Sequence, residues 1–78
     1  MPTVLRIGPY RFLFFASDFG EPPHVHVKRD DCQVKLWLTP VVIASSVGFA
    51  EHELSRIIGM TDEHRELLLE KWNEFFDN

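Results

Sequence analysis

The 78-residue sequence predicts an α+β fold: an antiparallel sheet of four to five short strands, followed by two C-terminal helices packed on one face. Three observations predict it. Up to Gly48, apolar residues tend to recur with period two between breaks rich in glycine and proline, as in short strands. From Ala50 the spacing becomes i, i+4, i+7, i+8 at Ala50, Leu54, Ile57 and Ile58, which is helical. The apolar share of 45%, with seven Phe and two Trp, suits a single core. One domain over 1–78 is therefore expected, its strand region at 1–48 and its helical region at 49–78.

In order, Thr3 to Ile7 reads as a short strand stopped by Gly8-Pro9. Tyr10 to Ala16 is the strongest strand, with Tyr10, Phe12 and Phe14 on one face and Arg11, Leu13 and Phe15 on the other. Both faces are largely apolar, as in a strand covered on two sides. Ser17 to Pro23 is a loop punctuated by Gly20 and the proline pair.

A hairpin follows whose register the side chains dictate. With Asp30-Asp31 as a two-residue turn, Arg29 faces Cys32, Lys28 faces Gln33, Val27 faces Val34, His26 faces Lys35, Val25 faces Leu36 and His24 faces Trp37. This gathers Val25, Val27, Val34 and Leu36 on an apolar face and leaves His24, His26, Lys28, Gln33, Lys35 and Trp37 on a polar one. A slip of one residue would set valines against lysine and glutamine. Thr39-Pro40 ends the strand, Val41 to Ser45 forms a last one, and Ser46-Val47-Gly48 turns the chain. Within the helical region Gly59 weakens the pattern, and Thr61-Asp62-Glu63 reads as a fresh N-terminus. Leu68, Leu69, Trp72, Phe75 and Phe76 then stripe the final helix opposite Glu66, Glu70 and Glu74.

Composition excludes several classes. No run of about 18 apolar residues offers a membrane span. Met1 to Ile7 lacks the basic head and apolar stretch of a signal peptide, and the single Cys32 rules out an internal disulfide, so a cytoplasmic setting is expected. The net charge of −4 is uneven: residues 1–48 carry five Lys/Arg against four Asp/Glu, residues 49–78 three against eight. Nucleic acid is therefore compatible only with the N-terminal half. Apolar surface beyond what two helices cover predicts a protein partner or a homodimer.

The chemistry centres on Pro22-Pro23-His24-Val25-His26-Val27-Lys28. The prolines enforce an extended entry, and the alternation puts His24, His26 and Lys28 on one side. At Asp18…Pro22-Pro23-His24-Val25-His26 the chain resembles the small bacterial proteins of domain of unknown function 4160. Their Met-Pro-Thr start, short aromatic strand, Pro-His-x-His strand and His-Leu-Trp spacing match positions throughout the chain, the last at His64, Leu68 and Trp72. Ala50 departs from the Ser or Asn that many relatives place before the first helix. Such proteins often stand beside a second family of unknown function, number 2442, so the resemblance implies a bacterial toxin–antitoxin-like pair and a small cognate protein partner. It implies no particular reaction. The run also resembles that of histidine-triad nucleotide hydrolases, but Lys28 stands where their last histidine matters most and the chain is too short for their fold.

Metal-independent RNA cleavage needs a base, an acid and cations for phosphate. His24 and His26 are the candidate catalytic residues, oriented by Asp18, while Lys28 and Lys35 hold phosphate and Trp37 stacks a base. The alternative is a polar strand face whose histidines bond to Asp18 and to the loop backbone, in a non-catalytic interaction module. For metal, His-x-His places its rings roughly 6–7 Å apart along a strand, a workable spacing for zinc. A third ligand from Asp18, His52 or His64 has to arrive through the fold, and two ligands alone make a weak site. No cofactor and no metal are predicted on that ground. His52 and His64 read as solvated or capping groups, and Cys32 as a small apolar residue.

Overall fold

The computed structural model describes residues 3–76. Strands β1 (Thr3–Ile7), β2 (Tyr10–Leu13), β3 (His24–Arg29), β4 (Cys32–Leu38) and β5 (Val41–Val47) lie side by side in chain order, each neighbour antiparallel. Helices α1 (Glu51–Glu63) and α2 (Arg65–Phe76) complete the α+β architecture that the sequence predicts. Antiparallel neighbours need only hairpins to join them, which is how so short a chain closes a five-stranded sheet.

The hairpin of β3 and β4 has the predicted register at all six pairs, from Arg29 with Cys32 to His24 with Trp37. Asp30 turns it with φ 54°, a left-handed conformation that Asp tolerates better than most residues. Val25, Val27 and Leu36 are wholly buried, and they join Phe12, Phe14, Ile57 and Leu68 in one core between sheet and helices. Each such side chain removed from water contributes about 1.5–3 kcal/mol before entropy is set against it.

Polar ties hold the helices to the sheet. Glu53 of α1 accepts a bidentate pair from Arg29, with Nε at 2.7 Å and Nη2 at 2.9 Å, and a further bond from the Tyr10 hydroxyl at 2.7 Å. Arg65, at the head of α2, donates Nε to the Leu38 carbonyl at 2.7 Å.

Three boundaries differ from those predicted. β2 ends at Leu13 rather than Ala16, because the Phe15 N–H goes to the Asp18 carboxylate at 2.9 Å and the chain enters a 3-10 turn, Ala16–Asp18. β5 continues past Ser45 to Val47, its register shifting between Lys35 and Leu36 so that Ala44 is the extra residue. Ala50 is, as expected, the extended residue just before α1. Thr61 starts no new helix: it is fully buried inside α1, its hydroxyl donating to the Ile57 carbonyl at 2.8 Å. Gly59 costs the helix about 1 kcal/mol, yet α1 runs through it to Glu63. The break falls at His64, whose ring Nδ1–H donates to the Met60 carbonyl at 2.9 Å.

Candidate functional site

The 3-10 turn exists because Asp18 bonds back to Phe15, and that same bond carries the carboxylate to the start of β3. There Oδ2 lies 3.0 Å from His26 Nε2 and Oδ1 lies 3.2 Å from His24 Nε2. The two imidazoles are edge to face, 5.1 Å apart. Asp18, His24 and His26 thus bring one potential ligand atom each to within 4.8 Å of one another, and Asp18 is the third candidate ligand that the strand alone lacked.

The two histidines differ in kind. His24 is wholly buried, with Trp72 of α2 at 5.1 Å and Trp37 at 5.4 Å between ring centroids. Its Nδ1 stands 2.9 Å from the Pro22 carbonyl, which can only accept, so Nδ1 carries a proton. Its Nε2 approaches the carboxylate off the line of a hydrogen bond and has no aligned partner. His26 retains 16% of its side-chain exposure and packs at a tilt against Phe15, 4.4 Å between ring centroids. Burial pulls His26 below the ordinary imidazole range despite the neighbouring carboxylate. For Asp18, burial pushes upward, but the Phe15 N–H and the two imidazoles outweigh it and hold the carboxyl below its usual range. A neutral imidazole hydrogen-bonded to an ionised carboxylate is a proton acceptor already oriented.

His26 opens onto a groove of about 260 Å³ on the sheet face away from the helices, lined by Phe15, Gln33, Lys35, Ser45 and Val47 among others. Of the predicted binding residues Lys28, Lys35 and Trp37, Lys35 alone lines it. Lys28 lies over the Phe15 ring at 5.5 Å. Lys35 is tied to Glu21 at 2.9 Å and covers Trp37 at 4.6 Å, so its charge is offset and the indole face is partly taken. His52 and His64 belong to no metal-capable cluster among the described residues.

Sequence reasoning missed the row beside this groove. Arg6 pairs with Arg11, Arg11 with Lys28, and Lys28 with Gln33, so three cations stand directly opposite one another across β1, β2 and β3 on the open face. Among the described residues none has a carboxylate within ion-pair distance. Like charges so placed repel, which an anion would relieve. The signal was available, since continuing the hairpin register through Gly8-Pro9 sets Arg6 against Arg11.

Fold and site together define a small α+β protein whose sheet is covered by helices on one side and carries a polar, histidine-bearing groove on the other. The chain belongs to the family described as domain of unknown function (DUF4160), whose model matches residues 10–73. Comparison with curated proteins finds no match, and neither does comparison with solved structures.

Proposed function

We propose that the open sheet face binds single-stranded RNA, and that the protein is the RNA-directed component of a toxin–antitoxin-like pair. The observation that carries this reading is the row of three cations, Arg6, Arg11 and Lys28, which among the described residues have no carboxylate within ion-pair distance and run beside the groove that His26 opens onto. Phosphates follow the row, a base stacks on Phe15 in place of Lys28, and Gln33, Ser45 and Ser46 supply hydrogen bonds. His26 takes the proton, Asp18 orients it, and His24, sealed under Trp72, positions Asp18 without touching substrate. The small cognate partner, of the family numbered 2442, silences the protein by covering this face.

Salt-dependent binding of a short RNA tests the reading. Three phosphate contacts make log K fall against log salt with a slope of about −2. The triple variant R6Q/R11Q/K28Q should lose affinity and most of that slope. An unchanged slope, or a wild-type chain that binds no RNA at low salt, overturns the proposal. His26→Ala should keep RNA binding while lowering cleavage about 10²- to 10⁴-fold. It should also abolish any growth arrest that the partner relieves.

A second reading, a non-catalytic interaction module, is favoured by one observation. β5 is an outer strand of seven residues with no charge, and Val42 and Val47 are exposed at 49% and 60%. Such an edge pairs readily with a strand of a partner or of a second copy. Sedimentation that finds only monomer, with and without the partner, excludes it.

A further inference from the structure

We propose that Asp18, His24 and His26 form a binding site for a divalent first-row transition metal such as Zn²⁺, with two nitrogens and one carboxylate as ligands. One ligand atom from each residue lies within 4.8 Å of the others, and the two carboxylate oxygens stand 3.0 Å (Oδ2) from His26 Nε2 and 3.2 Å (Oδ1) from His24 Nε2, close to the roughly 3.0–3.4 Å between neighbouring ligands held about 2.0–2.1 Å from one ion.

The decisive feature is His24 Nε2. Nδ1–H is committed to the Pro22 carbonyl, and Nε2, fully buried and without an aligned hydrogen-bond partner, lies 3.2 Å from the Asp18 carboxylate. A cation seated between Nε2 and the carboxylate would give this buried nitrogen the partner it lacks. The supports are those of a metal centre. A ligating histidine commonly donates its other ring N–H to a backbone carbonyl, as His24 does to Pro22, and its carboxylate neighbour is held by a further donor, as Asp18 is by the Phe15 N–H at 2.9 Å. His26, on the groove side, leaves the remaining coordination positions towards solvent. Two imidazoles with one carboxylate suit zinc or ferrous iron, and lack both the all-oxygen shell of calcium and the thiolates of softer ions.

This inference rests on ligand geometry and stands apart from the RNA reading. With an ion bound, His26 Nε2 would be a ligand, and the ion would supply a bound hydroxide as the acceptor of the RNA proton in place of that nitrogen. The titration below is done without RNA, so failure of either reading leaves the other intact.

Metal-free full-length protein is titrated with Zn²⁺ by calorimetry and with Co²⁺ by visible absorption. One ion per chain is expected, with the d–d bands of nitrogen and oxygen coordination. His26→Gln keeps a donor to Asp18 but removes a ligand, and should weaken binding at least about tenfold. His52→Ala should leave it unchanged. Nitrogen NMR of the wild type needs no variant: on adding Zn²⁺, Nε2 of His24 and His26 should shift together while His24 Nδ1 stays protonated. Absence of stoichiometric binding, equal affinity in His26→Gln, or Nε2 shifts at His52 and His64 instead, would overturn the proposal.

Discussion

Glu53 takes three hydrogen bonds from two strands, and it shows how much one carboxylate can organise. Arg29 first, and then Tyr10, lower its pKa, while the bond to Glu53 and burial raise that of Tyr10. The signs give two limits. A carboxyl lowered in the fold supplies stability that is present above its unfolded value, 4.5, and lost as pH falls through the folded one. A phenol raised in the fold supplies stability that is present below 10.0 and lost as pH rises through its folded value. The urea midpoint should therefore hold between about 4.5 and 10 as far as these groups set it, and fall outside. Glu53→Gln should lower the plateau and flatten the acid limb; an acid limb of undiminished steepness would assign it to other groups. At this scale the sequence was readable where partners are close in the chain. Asp18 lies eight residues from His26, and a short loop into a period-two strand makes their meeting predictable. Arg29 and Tyr10 reach Glu53 across 24 and 43 residues, between layers, where no local pattern speaks.

Two glycines test the elements in opposite directions. Gly59, inside α1, has ordinary helical φ and open space where a Cβ would stand. Gly59→Ala should stabilise by about 0.5–1 kcal/mol in denaturant unfolding, because it narrows only the unfolded ensemble. Gly48, between β5 and α1, has φ 92°, and a Cβ there would lie 2.9 Å from Cys32 Sγ. Gly48→Ala should cost about 1–3 kcal/mol by the same measurement. The pair also explains which boundaries could be read. In the β3–β4 hairpin two independent side-chain patterns must agree, and they admit one register. The Gly59–Thr61 stretch offered only local propensity, and the buried hydroxyl of Thr61 overrode it. β2 stopped early for a similar reason, since the Asp18 carboxylate claimed a backbone N–H that a longer strand would have used.

For the whole molecule, the aromatic knot at the end of the sheet decides stability. Phe14 is fully buried against Trp72 at 5.2 Å, Phe75 at 5.8 Å and Phe76 at 6.3 Å. Phe14→Ala should cost about 3–5 kcal/mol, a large part of what a domain of this size has to lose, and thermal unfolding should show it first. Because Trp72 also packs on His24, that variant should disturb the Asp18 cluster too, visible in the histidine ring resonances. No helix among the described residues is long and apolar enough to cross a membrane.

The layers differ in charge as well as in composition: the helices hold most of the acidic residues, and the bare side of the sheet holds the cation row. Such a body has a front and a back in an electric field. A polyanion drifting towards it is turned away from the rear and drawn to the front before any atom touches, so thinning the salt should quicken capture more than it prolongs residence.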